Sequence, residues 1–251
     1  MIKVELTISY VKISVNLALN LVKKIYIIYH IISYMNLYFV TSYIIFLTLL
    51  IFVSTFKHSK FRLILKLLTC AHYLGLALYA IHYNPINLLK YLLAMGLIFS
   101  FFGDLYLGLK DKLKVGFLIG IGAFSLTQLY YLLYLQLSYF NYWPFILSIV
   151  FILFFWQYVK YNPYINFTQK AYFLIVYIFL LSSTMFSSIF LLMDNQSYPN
   201  LLLTIGFVSF FISDIILFHV YFIEYKYKSL IIFYIIFYHF AQCLIAYSLW
   251  L

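Results

Sequence analysis

Polar positions along this chain come in clumps, and the apolar runs between the clumps are each about 20 residues long, which is the length of a membrane-spanning helix. Eight runs can be drawn, each bounded by charge, Pro or Asn: Leu37–Phe56, Leu63–Tyr83, Ile86–Leu109, Val115–Ser138, Trp143–Lys160, Thr168–Met193, Asn200–Ile223 and Ser229–Trp250. At a rise of about 1.5 Å per residue, each covers the roughly 30 Å of a bilayer's hydrocarbon. Strands of a membrane barrel would alternate polar and apolar positions, so helices are the expected element. The connections are short and leave no room for a soluble domain. The fold class expected is an all-α polytopic membrane protein of about eight transmembrane helices.

Composition agrees. The chain is 67% hydrophobic and 9% charged, where a soluble domain would be about a quarter charged. The net charge of +10 is therefore read loop by loop and not as a nucleic-acid footprint. Lys57, Lys60 and Arg62 lie between runs one and two; Lys110, Lys112 and Lys114 lie between three and four. Lys160 and Lys170 flank the link between five and six, and Lys226 and Lys228 lie between seven and eight. The connections at Asn84-Pro85, Tyr139–Tyr142 and Asp194–Pro199 carry no Lys or Arg. By the positive-inside rule, the four basic loops face the cytoplasm and both ends of the eight-helix unit face out, as expected for a bacterial plasma membrane. Lys90, just inside the third run, is a mild exception. Residues 1–34, with Lys3, Lys12, Lys23 and Lys24, conflict with this orientation, because a basic leader would sit outside. Two readings stand for that leader: an interfacial amphipathic helix, or an over-called start with the native chain beginning at Met35. The domain organisation expected is this leader followed by one eight-helix domain, residues 35–251.

Two runs carry an acidic residue. Gly96–Leu107, GLIFSFFGDLYL, holds Asp104, and Gly206–Leu217, GFVSFFISDIIL, holds Asp214, 110 residues later. In each, a glycine precedes the aspartate by eight residues and a leucine follows it by three. An ionisable group within hydrocarbon costs at least about 2.5 kcal/mol on insertion scales, which marks both as functional-site candidates. Runs three and seven cross in the same direction, so the echo fits a parallel duplication of four helices plus four. From the cytoplasmic ends, Asp104 lies about 8 Å deep and Asp214 about 13 Å deep. A carboxylate pair sharing a low-dielectric cavity divides its roles, one a protonated acid and the other ionised. The bland alternative is that Asp104 merely pairs with Lys66, which enters run two at similar depth.

Gln128 and Gln242 lie near mid-membrane, where glutamine is often interhelical glue worth about 0.6–2 kcal/mol. Ser100 and Ser213 can back-bond to their own helices. His72, His82, His219 and His239 form no HxxxH or HxxE pair, and a catalytic zinc takes three protein ligands. No metal and no cofactor are expected. Cys70 and Cys243 lie in apolar runs and are read as membrane-core fillers.

The motif S-x-x-G-D-x-x-L at Ser100–Leu107, the pair Ser213-Asp214 in run seven and Y-x-x-x-Q at Tyr238–Gln242 resemble the YhhN-like lysoplasmalogenase family. The resemblance covers nearly all of Met35–Leu251 and includes Gly116–Tyr131. Two departures stand out: Gln128 where the family usually has histidine, and Lys66-Leu67 where it has Lys-Pro. The resemblance implies hydrolysis of the vinyl ether bond of lysoplasmalogens to a fatty aldehyde and a glycerophospho-headgroup. It makes Asp104 and Asp214 the catalytic pair; of the two, Asp214, the deeper group, is assigned as the acid and Asp104 as the carboxylate. Lys66, Ser100, Gln128, Ser213, Tyr238 and Gln242 are then substrate-binding or orienting groups. The partners implied are a lysophospholipid drawn from the membrane and the bilayer itself. A proton-coupled carrier, a non-catalytic lipid-binding protein and a His/Asp metal hydrolase are the competing functions. Pro85, Pro144, Pro163 and Pro199 all lie at run ends, against the broken helices of a carrier.

Overall fold

Each of the eight apolar runs contains a helix. The structure is a computed structural model, and it describes residues 39–54, 59–83, 88–110, 113, 115–162, 164, 171–222 and 228–251. The leader and Met35 lie outside the described residues, as do Lys57, Lys112, Lys114, Lys170, Lys226 and the Asn84-Pro85 connection. The helices are α1 (Phe39–Ser54), α2 (Ser59–Tyr83), α3 (Leu88–Gly108), α4 (Gly116–Ser138), α5 (Trp143–Tyr161), α6 (Ala171–Asp194), α7 (Tyr198–Phe222) and α8 (Lys228–Ser248). Among the described residues, seven of them, α2 to α8, are long and apolar enough to cross a membrane. This is an all-α polytopic membrane protein.

Helix α7 begins two residues earlier than the sequence pattern suggests, because Pro199 is accepted in a first turn, where its missing N–H has no partner to lose. Pro144 opens α5 in the same way. Ahead of it, the Asn141 side chain accepts a hydrogen bond from the Trp143 amide at 2.9 Å, and Gln136 Oε1 accepts one from the Asn141 amide at 3.1 Å. These bonds close the turn between α4 and α5.

The chain separates into two units, residues 1–45 and 46–251. Of the first, residues 39–45 are described and form the opening turns of α1. The candidate site lies wholly in the second. There α2 packs on α3, α3 on α4 and α4 on α6, while α6 packs on α7, α7 on α8 and α8 on α2. Exchanging α2, α3, α4 for α6, α7, α8 maps these six contacts onto one another, as expected of a parallel four-plus-four duplication, whereas among the described residues the approach of α3 to α8 is not matched between α4 and α7. The same places allow close helix approach. A Cβ on Gly96 would run into the Tyr131 ring of α4, and one on Gly206 would lie 3.0 Å from Ile245 Cγ1 of α8.

The helices are apolar on all faces, so the bundle sorts polar groups inward and leaves apolar ones outward. Phe154 and Leu137 are 67% and 65% exposed, as suits side chains facing lipid. Inside, hydroxyls share one proton between their own helix and a neighbouring backbone: Thr184 Oγ1 lies 2.8 Å from the Leu180 carbonyl and 3.3 Å from that of Gln128, and Thr204 Oγ1 lies 2.8 Å from the Asn200 carbonyl and 2.9 Å from that of Ser188. Small hydroxyl-bearing residues let helices approach and satisfy each other where no water competes.

Candidate active site

Three helices contribute polar pairs at a spacing of four residues, which puts each pair on one helix face. On α2 these are Lys66 and Cys70, on α3 Ser100 and Asp104, and on α8 Tyr238 and Gln242. They meet. Lys66 Nζ lies 2.7 Å from Asp104 Oδ1, and the Asp104 side chain is 2% exposed. Asp104 Oδ2 accepts from the Tyr238 hydroxyl at 2.5 Å and from Cys70 Sγ at 3.0 Å. Tyr238 has a single proton and gives it to the carboxylate, so the 2.7 Å contact between Ser100 Oγ and the Tyr238 hydroxyl is donated by the serine. Gln242 Nε2 donates to Ser100 Oγ at 2.7 Å, and the Tyr131 hydroxyl of α4 donates to Gln242 Oε1 at 3.1 Å. The whole chain, Tyr131 to Gln242 to Ser100 to Tyr238 to Asp104, therefore points its donors toward one negative group. Such a chain polarises cooperatively in a low dielectric. Asp104 is a caged carboxylate with its cation attached.

Asp214 has a different setting. It takes a hydrogen bond from the Tyr177 hydroxyl of α6, and among the described residues no lysine or arginine pairs with it. It lines a cavity of about 60 Å³ bounded by α3 to α7. Apart from Asp214 and the hydroxyls of Tyr177 and Tyr221, the lining is apolar, including Phe124, Ile121 and Leu174. The cavity follows α7 down to Tyr221 and Phe222, near the ends of helices that adjoin basic connections. There Lys110 Nζ lies 3.8 Å from the centre of the Tyr221 ring. The Phe124 ring lies near the tyrosine partners of both aspartates, 6.1 Å from the ring of Tyr238 and 6.5 Å from that of Tyr177.

Of the residues singled out by sequence, Lys66, Ser100, Asp104, Tyr238 and Gln242 come together in one network. The ion pair considered as the bland reading of Asp104 is formed. Gln128 is buried one turn beyond Phe124, close to the Tyr177 hydroxyl but without a hydrogen bond of proper geometry. Ser213 does not join the site: its hydroxyl donates to the Tyr234 carbonyl at 3.1 Å and fastens α7 to α8. Asp214, given no partner from sequence, has Tyr177. Sequence reasoning also passed over Tyr131 and left Cys70 as filler. With 28 tyrosines in the chain, Tyr131 and Tyr177 did not stand out. The four-residue spacing from Lys66 was the available signal for Cys70.

The family model for the YhhN family matches residues 61–249. No curated protein matches the chain, and no solved structure does.

Proposed function

We propose that this chain, which belongs to the YhhN family, is a membrane hydrolase that cleaves the vinyl ether bond of lysoplasmalogens to a fatty aldehyde and a glycerophospho-headgroup. The observation that carries the reading is the unequal setting of the two aspartates. Asp104 has Lys66 at 2.7 Å and two further donors, so it is held as a carboxylate. Asp214 has no cation beside it among the described residues and borders an apolar cavity, so it is held protonated. A protonated carboxyl at the wall of an apolar cavity is the group needed to give a proton to carbon.

Vinyl ether cleavage begins with that transfer. The Asp214 proton bonds to the outer vinylic carbon, and the ether oxygen's lone pair closes an oxocarbenium ion. The Asp104 carboxylate contributes negative potential toward the cation, without moving. Water adds to the carbon bearing oxygen, and the hemiacetal loses the glycerol oxygen, which leaves with a proton. The cavity is a seat for the reacting end of one lipid chain. Lys110 stands where the chain's phosphate would meet the surface, with the basic loops taken as cytoplasmic.

The test is aldehyde release in detergent from an alkenyl lysophospholipid, beside its saturated alkyl-ether analogue. The reading expects aldehyde from the alkenyl lipid alone, and about a 10²–10⁴-fold loss in Asp214→Asn. Folded wild-type protein that releases none would end the hydrolase assignment and turn attention to a carrier.

A further inference from the structure

We propose that the Gln128 carboxamide seats the water consumed in the reaction. The proposal rests on the vinyl ether hydrolase reading and adds a residue with a separate task. Gln128 is 1% exposed, and both Oε1 and Nε2 lack a hydrogen-bond partner among the described residues. A buried carboxamide with neither end satisfied destabilises the fold, and apolar residues are ordinarily better there. Its place is not arbitrary. Gln128 on α4 and Tyr238 on α8 are 110 residues apart, the same offset as Asp104 and Asp214, on helices that exchange under the duplication. Tyr238 gives its proton to Asp104 in its half of the bundle. Gln128 holds the corresponding sequence position in the other half, and beside it Tyr177 already donates to Asp214. It lies one helical turn from Phe124, whose ring lines the cavity.

A carboxamide offers one acceptor and two donors side by side, which suits a molecule that must both give and take a hydrogen bond. Glutamine neither takes nor releases the proton. Asp214 does both. After its proton has gone to the outer vinylic carbon, the Asp214 carboxylate is free to act as base. Water held by Gln128 then attacks the oxocarbenium carbon, its oxygen forms the new C–O bond, and one of its protons returns to Asp214. Asp214 is regenerated as the acid, the hemiacetal is formed, and one water has been added in net.

Gln128→Met, similar in length and apolar, separates this from a structural role. The variant and wild type would be compared in detergent for thermal unfolding and for turnover of an alkenyl lysophospholipid and of its analogue lacking the free glycerol hydroxyl. The expected result is an unfolding temperature equal to or above wild type, kcat lowered at least about tenfold on both lipids, and KM within about twofold. With methanol added, the share of product trapped as acetal should rise in the variant, since water loses its preferred position. Gln128→His, which keeps a polar group, should retain more turnover than Gln128→Met. A Gln128→Met protein that fails to fold, or unfolds at lower temperature with kcat retained, would make Gln128 interhelical glue and overturn the proposal. A raised KM confined to the lipid with the free hydroxyl would assign the carboxamide to substrate and overturn it also. Aldehyde release by wild type keeps these outcomes distinct from failure of the hydrolase reading, which would take this proposal with it.

Discussion

Lys66 and Asp104 form the ion pair found among the described residues, and its removal has a calculable consequence. At 2.7 Å the attraction is about 6 kcal/mol for an effective dielectric of about 20. Taking the two ions out of water opposes this with several kcal/mol each, so the intact pair is close to break-even against an apolar pair. Breaking it is another matter. Lys66→Met leaves Asp104, 2% exposed, without its cation and should lower stability by about 3–5 kcal/mol. For a chain of this size that is a fall of about 6–20 °C in Tm. Asp104→Asn should be milder, about 1–3 kcal/mol, because the lysine side chain is 19% exposed and its stem can carry the ammonium toward the surface. The double variant, with neither charge, should recover most of the loss and give a coupling energy of at least about 2 kcal/mol. Thermal unfolding of all four proteins in one detergent measures this. Additive single changes, within about 0.5 kcal/mol, would refute the ion pair as an energetic unit.

Other expectations follow from the same geometry. Tyr238→Phe deletes the 2.5 Å bond to Asp104 and should lower stability by about 1.5–3 kcal/mol, read by the same unfolding assay. Gly96→Ala drives a Cβ into the Tyr131 ring and should cost about 1–3 kcal/mol, whereas Gly122→Ala meets nothing within 4 Å and should stabilise α4 by about 0.4–1 kcal/mol. Leu174→Trp fills the cavity beside Asp214 and should raise KM for an alkenyl lysolipid while leaving the Asp104 network intact, as steady-state kinetics would show.

Much of the fold was legible because hydrocarbon imposes a length and a polarity on every crossing segment, and most charges of residues 35–251 fall between those segments. The aspartates were legible for the same reason: a carboxylate in an apolar run is costly enough to call for a partner or a function. The Lys66 pair could be read from depth alone. Asp214's partner could not, because Tyr177 is one aromatic among many and only the packing of α6 on α7 selects it. Ser213 illustrates the opposite limit. Neighbouring helix positions point about 100° apart, so Ser213 and Asp214 cannot both face one site, and the serine went to the α8 backbone. The unsatisfied state of Gln128 is a property of three helices together and leaves no trace in sequence.

The central claim is that a carboxylic acid at the cavity wall protonates carbon, and the isotope content of the product tests it most directly. Wild-type protein would be supplied with alkenyl lysophospholipid in D₂O, the aldehyde reduced at once, and the alcohol analysed by mass spectrometry. The account predicts a single deuterium on the carbon next to the former aldehyde carbon, and product from Asp214→Asn reduced about 10²–10⁴-fold. Aldehyde formed without deuterium at that carbon, or formed undiminished by Asp214→Asn, would contradict it.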